Sequence, residues 1–295
     1  MNNRLNQYIN ENKISQAQIA RELGISKTAL NQYLQGIYAG NLKNIDEKVV
    51  AFFRLQEERK TTAQLQVAFV ETPTAKQILG FLGLSHVLRK FGIVYGGAGL
   101  GKTTAIKEYV RRNPSCVFIE PDMGYTAKVL LQEICKALNL PEKGTIHELT
   151  DRIVEVLKDS GRMLIVDEAE LLPLRALECV RRIYDKSGCA LQLVGMPRLL
   201  QNLKGANAEF KQLFSRVCLH CPLGNDVKDV DLLEIISGNL KECEEAEAKH
   251  LVKVSHGNVR RLVNLMTIIK YLMQVNRMNS VEKKLIDKAV SYLIS

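Results

Sequence analysis

No run of ~18 consecutive apolar residues occurs in the chain, which excludes a membrane-crossing helix of ordinary length. The first residues, Met1-Asn2-Asn3-Arg4, lack the apolar core of a secretion signal, so a cytoplasmic protein without a membrane partner is expected. No low-complexity tract and no internal repeat is evident. A second pair of metal-ligand residues is also missing. Cys218-Leu219-His220-Cys221 has C-x-x-C spacing, but with no companion pair it reads as a strand flanked by two buried thiols rather than as a zinc site. The seven cysteines are odd in number and scattered through apolar runs, which suits reduced, buried thiols.

The chain has 295 residues, of which 46% are hydrophobic, enough for a real core and long enough for two or three domains. Its net charge of +9 points to a polyanionic partner, nucleic acid ahead of a membrane surface.

The most informative stretch is Gly96-Gly97-Ala98-Gly99-Leu100-Gly101-Lys102-Thr103-Thr104, which fits G-x-x-x-x-G-K-[ST] with Gly96, Gly101, Lys102 and Thr103 in register. Glycines let successive backbone N–H groups curl around phosphate oxygens without a side-chain clash. A helix starting near Gly101 turns its positive dipole end toward the same anion. The whole stretch is therefore expected to bind ATP. Lys102 should reach the β- and γ-phosphates, and the Thr103 hydroxyl should hold Mg²⁺. The flanks agree, with an apolar strand at Gly92–Tyr95 and a helical pattern from Ala105 onward.

Taken from the start, residues 1–55 show helical apolar spacing. Ser15 is a plausible N-cap, Ile19, Ala20 and Leu23 form one apolar stripe, Gly24 supplies a turn, and Ser26 can cap a second helix with Leu30 and Leu34 turned inward. Two short helices across a Gly-containing turn are a helix-turn-helix, and the stretch resembles the phage Cro and repressor type of DNA-binding domain. That resemblance makes Lys27, Thr28, Asn31 and Gln32 the outward face of a recognition helix. Residues 56–66 are polar and unpatterned and read as a linker. Thr72-Pro73 suits a helix start. Strands are expected at Cys116–Glu120, Arg162–Asp167, Ala190–Gly195 and Arg216–Cys221, with helices around Ala127–Leu138 and His147–Lys158. Strands alternating with helices imply a parallel sheet. From about 223 onward the pattern is helical only. The strand through Met163-Leu164-Ile165-Val166 ends in Asp167-Glu168, the Walker B pattern. It should carry Asp167 to the Mg²⁺ and Glu168 to the attacking water as general base.

The order of phosphate loop, Asp167-Glu168, Ser215-Arg216 and Gly257-Asn258-Val259-Arg260-Arg261 resembles AAA+ ATPases. With Phe69-Val70-Glu71-Thr72 and Leu213-Phe214-Ser215-Arg216 added, nearly the whole chain resembles the Mu B family of phage transposition proteins. The resemblance implies an α/β fold: an AAA+ P-loop ATPase with a central parallel sheet over 67–222, preceded by the helix-turn-helix domain and followed by an all-helical lid domain over 223–295. It implies ATP-dependent filaments on double-stranded DNA, self-association, and delivery of that DNA to a DDE-type transposase. It makes Arg216 an arginine finger acting on a neighbouring subunit, and Arg260 the sensor-2 arginine of the lid. Related ring and filament ATPases line their pore from the region of Tyr125, Thr126 and Lys128, where helix-terminal N–H groups can also meet phosphates. Arg175, Arg181 and Arg182 form a second basic set. One departure stands out: the polar residue usual after the fourth strand is replaced by Met196, which has no good donor. A helicase loader and a sequence-specific transcription regulator with an ATPase domain remain the alternatives.

Overall fold

The computed structural model describes residues 1–204 and 215–293 of the chain. It divides into two compact units, Met1–Gln66 and Val67–Ser295. The first unit is helical: α1 (Asn2–Asn12), α2 (Gln16–Leu23), α3 (Lys27–Leu34) and α4 (Leu42–Gln64). Ser15 and Ser26 each accept a hydrogen bond from the backbone N–H three residues on, at 3.2 and 3.1 Å, and so start α2 and α3. Gly24 adopts φ +61°, the left-handed conformation that ends α2 and turns the chain into α3. Leu5, Ile19, Leu30, Val49 and Phe52 meet in this unit's core. Tyr33 rather than Leu34 is the fully buried residue of the last turn of α3, its hydroxyl bonded to Asp46.

The polar stretch from Gln56 onward, expected as a linker, continues α4 as helix through Gln64. Glu, Arg, Lys and Gln are strong helix formers, and Arg54 pairs with Glu58 one turn on at 3.1 Å. Composition that lacks an apolar stripe is therefore no obstacle to helix here.

In the second unit, α5 (Pro73–Val87) leads into β1 (Phe91–Tyr95). Then come α6 (Lys102–Arg112), β2 (Val117–Ile119), α7 (Ala127–Ala137), α8 (Ile146–Leu157), β3 (Met163–Val166), a 3-10 turn (Ala169–Leu171), α9 (Leu174–Ser187), β4 (Ala190–Gly195), α10 (Pro197–Lys204) and β5 (Leu219–Pro222). The five strands are parallel in the order β2-β3-β4-β1-β5. Alternation of side chains across the pleat gives the sheet two apolar faces. Leu164, Val166, Leu191 and Leu193 pack on one side with α7, α8 and α9, while Met163, Ile165 and Val194 pack on the other with α5 and α6. The fifth strand begins at Leu219, three residues later than its sequence pattern suggests. It lies at the sheet edge beside β1, with Cys221 buried within it and Cys218 exposed just before it, so only one of the two thiols is buried as expected.

Four further helices follow: α11 (Asp229–Asn239), α12 (Glu245–Ser255), α13 (Val259–Asn276) and α14 (Lys283–Ser291). They bury Leu232, Leu251, Leu265 and Ile269 in a core of their own, which also takes in Leu100 of the glycine-rich loop. The helical segment thus closes onto the loop within the same compact unit. Residues 205–214, which include Leu213 and Phe214 of the Leu-Phe-Ser-Arg stretch, lie outside the described residues.

Candidate nucleotide site and DNA-facing residues

β1 delivers the glycine-rich loop at the carboxyl edge of the sheet, where β1 and β4 end side by side with Tyr95 opposite Gly195. Gly97 touches the loop after β5. Its N–H donates to Gly224 O at 2.9 Å, and a methyl group built on it would lie 2.1 Å from Asn225 O, so no side chain fits. Gly101 has φ +77° and caps α6, a backbone conformation that an L side chain rarely adopts. The Lys102 ammonium donates to Gly96 O and Gly97 O at 3.0 and 2.7 Å. Burial lowers its pKa below the ordinary lysine value, against the pull of Asp167, Glu170 and Glu168.

β3 ends at Val166 and sets Asp167 against α6. The Thr103 hydroxyl donates to Asp167 Oδ2 at 2.6 Å, and the Glu168 N–H to Oδ1 at 2.9 Å. Asp167 is only 1% exposed. Burial raises its pKa above the usual aspartate value, while the Thr103 and Glu168 hydrogen bonds oppose the shift. Glu168 is exposed and sits at φ +43°, a left-handed backbone that costs energy for a glutamate.

Lys102, Thr103, Asp167, Glu168 and Arg260 line one polar pocket, together with Met196. Arg260 reaches it from the first turn of α13, whose N-cap Asn258 accepts from Arg261 N–H at 3.1 Å and lies beside Gly99. The positive end of α13 and the positive end of α6 therefore converge on one place, a fit for a polyanion. Arg216 does not line this pocket. Asp185 of α9 holds its guanidinium at 3.0 Å, and the side chain is half exposed.

Two features were not read from the sequence. An apolar compartment adjoins the polar pocket, sharing Leu100, Gly101 and Thr104 and walled by Phe69, Val70, Val227 and Ile235. The lead-in segment that forms one wall is clasped at both ends by α11. Asn239 pairs with the Ala68 backbone at 2.6 and 3.1 Å, and the buried Asp231 carboxylate accepts from the Thr74 N–H at 3.0 Å and its hydroxyl at 2.5 Å. No local pattern marks Asn239 and Ala68 as partners, since 171 positions separate them. The second feature is Glu170, whose side chain is 3% exposed inside the polar pocket.

Lys27, Thr28, Asn31 and Gln32 all lie exposed along α3. Thr126 is the N-cap of α7, accepting from Val129 N–H, with Lys128 exposed beside it and Tyr125 partly buried against the sheet core. Arg175 and Arg182 are exposed on α9. Arg181 is not: its side chain is 12% exposed and bonded to Glu178 and Asp185, which leaves it poorly placed for a phosphate. Among the described residues, no helix is long and apolar enough to cross a membrane, and no group of three His, Cys, Asp or Glu side chains is arranged to hold a metal.

Residues 86–203 match the AAA domain family and residues 5–45 the helix-turn-helix family. The chain is 33% identical over 224 residues to the Mu-like prophage FluMu DNA transposition protein B of Haemophilus influenzae, covering 73% of this chain and 77% of that protein. It is 28% identical over 228 residues to the ATP-dependent target DNA activator B of Escherichia phage Mu, covering 74% and 70%. Among solved structures, the Aeropyrum pernix ORC2 protein superposes with a TM-score of 0.59 at 16% identity, over 77% of this chain and 69% of that one. Domain III of Thermotoga maritima DnaA gives 0.54 at 16%, over 77% and 95%. Together with the AAA domain match, these two likenesses show an AAA+ fold.

Proposed function

This chain belongs to the family of Mu-like DNA transposition protein B, and from that premise we propose that it is an ATP-hydrolysing protein that coats double-stranded DNA and presents it as target to a DDE-type transposase. The observation that carries this reading is the meeting of phosphate loop, buried Asp167 and exposed Glu168 in one pocket of a chain that also bears a helix-turn-helix. Its relative from phage Mu is named for ATP-dependent activation of target DNA.

The residues fit ATP with Mg²⁺. The loop and the start of α6 offer N–H groups to the triphosphate, and Lys102 exchanges its two carbonyl partners for phosphate oxygens. The apolar compartment suits the base. Thr103 and Asp167 supply hard oxygen donors on adjacent elements, and a cation there would offset the burial of the carboxylate. When bound, Mg²⁺ neutralises charge building on the β- and γ-phosphates. Glu168 takes up the proton of the attacking water, and Arg260 holds the phosphates from the lid side.

Arg216, exposed and steered by Asp185, completes the pocket of a neighbouring copy, so that assembly and hydrolysis are coupled. ATP-bound copies thereby form an oligomer or helical filament on DNA, which in turn stimulates hydrolysis. Lys27, Thr28, Asn31 and Gln32 approach the duplex first, with Tyr125, Thr126, Lys128, Arg175 and Arg182 as contacts of the ATPase unit. The setting is the cytoplasm of a bacterial host.

Footprinting on random-sequence DNA across a salt series tests this. A target selector protects DNA broadly, and its affinity falls steeply with salt, by ~0.9 in log–log slope per neutralised phosphate. One protected operator with a salt-insensitive complex would instead establish a transcription regulator.

A further inference from the structure

The carboxylate of Glu170 is buried in the polar pocket, yet its Oε2 has no hydrogen-bond partner among the described residues. Its other oxygen lies 3.8 Å from the Arg198 guanidinium, beyond hydrogen-bond reach. The Oε2 atom rests on Gly195 at the end of β4, where a methyl group built on the glycine would lie 2.1 Å away. Gly195 thus leaves the space that Glu170 fills. The next residue is Met196, which lines the same pocket and offers it no polar hydrogen-bonding group beyond a weak thioether.

Buried acceptors are nearly always satisfied, and one left open inside a ligand pocket asks for a donor that arrives with the ligand. The phosphate groups of a nucleotide bring no donor, and repulsion keeps a carboxylate off them. Water is a donor, and the pocket is where water meets the γ-phosphate.

We propose that Glu170 is a second acceptor for the attacking water, taking the place of the polar side chain that Met196 lacks. Glu168 removes the proton; Glu170 fixes the water's other hydrogen and so its angle of approach. Glu168 is the left-handed N-cap of the 3-10 turn that carries Glu170; Glu168 is exposed, whereas the Glu170 carboxylate lies against Gly195 of β4. Gly195 and Arg198 seat Glu170 without satisfying it, which keeps its acceptor free for the water. This assignment rests on the ATPase reading given above.

The test measures ATP turnover, nucleotide affinity and melting temperature of the full chain as Glu170→Gln, Glu170→Ala and Glu170→Ala/Met196→Asn. Glu170→Ala should lose roughly a hundredfold in kcat, the low end of what a positioned acid–base group contributes, and Glu170→Gln, whose amide oxygen can still accept, clearly less, with nucleotide affinity within about twofold in both. Neither should melt earlier than the unaltered protein, because each removes an unsatisfied buried charge. Adding Met196→Asn to Glu170→Ala should restore part of the turnover. Turnover within twofold of the unaltered chain in both single variants overturns the assignment, as does a fall in melting temperature that parallels the loss of activity. If the unaltered chain binds ATP but never hydrolyses it, the ATPase reading itself fails and takes this one with it. Loss confined to the Glu170 variants' affinity would instead make Glu170 a binding residue.

Discussion

Asp231 offers the sharpest test of how the apolar compartment is built. It is 2% exposed on α11 and accepts from both the N–H and the hydroxyl of Thr74, the second residue of α5. Asp231→Ala leaves a buried N–H and a buried hydroxyl without acceptors. Hydrogen bonds to a carboxylate contribute ~1.5–3 kcal/mol each, part of which is offset because the carboxylate no longer has to be buried. A net loss of about 2–4 kcal/mol follows, and a domain of this size shifts ~2–4 °C per kcal/mol, so melting should fall by roughly 5–15 °C. Asp231→Asn should cost far less, since the amide oxygen still accepts from the Thr74 N–H and the hydroxyl can turn to accept from the amide. The lead-in segment clasped by Asp231 walls the apolar compartment. Its loosening should therefore raise the KM for ATP while leaving kcat nearly unchanged, the signature of lost uniform binding. Differential scanning fluorimetry and steady-state kinetics on the full chain give both numbers. A melting shift under 1 °C for the alanine variant, or a loss confined to kcat, refutes the reasoning.

Three further variants separate the roles inside the pocket. Arg216→Ala should bind nucleotide but lose most hydrolysis, and mixing it with Lys102→Ala should restore activity, one copy lending its site and the other its arginine; mixtures that never exceed the sum of their parts would remove Arg216 from the neighbouring site. Glu168→Gln should hold ATP and dissociate slowly from DNA in single-molecule imaging, whereas a variant that leaves DNA as fast as the unaltered chain shows that hydrolysis is not the release step. Because burial raises the pKa of Asp167, the fold is favoured while it holds its proton, and that contribution is lost as pH rises through the raised value. Asp167→Asn should accordingly melt later than the unaltered chain at neutral pH without nucleotide, yet lose the further rise that Mg-ATP produces; an earlier melt would contradict the stated cost of burying this carboxylate.

What was legible in the sequence was local. The phosphate loop announces itself because glycine is required at fixed spacing between a strand and a helix, and Ser15, Gly24, Ser26 and Thr72 act as caps within three residues of themselves. Asp167-Glu168 is visible because a fully apolar strand must end somewhere, and two acids at that end are conspicuous. Features that depend on distant partners were hidden. Glu170 looks like any acid at a helix start; only the fold shows that it turns inward onto Gly195. The apolar compartment unites residues near 70 with residues near 230 and 260, which no periodicity connects. At α4 the failure had another cause: a solvated helix and a charged linker share one composition, and helix propensity decides between them without leaving an apolar stripe.

The same long-range contacts would couple the lid to a nucleotide bound as proposed above. Asn258, at the start of α13, lies beside Gly99, and Leu100 is buried in the lid's own core. The phosphate loop is therefore packed by the lid, while α11 clasps the lead-in segment that walls the apolar compartment. A ligand that fills both compartments touches the lid at two separate places. It can favour one lid position only to the extent that it binds that position better. The two contacts would supply such a difference under the proposed function, since Arg260 of α13 lines the polar pocket and the apolar compartment is partly walled by Val227 and Ile235 on the lid side. Hydrolysis alters only the phosphate end. The contact with the apolar compartment would then be left to hold the nucleotide while the γ-phosphate contacts are lost. If the proposed function holds, the change from ATP to ADP would be read by α13 before the nucleotide departs, and any filament contact that depends on the lid would weaken at that step.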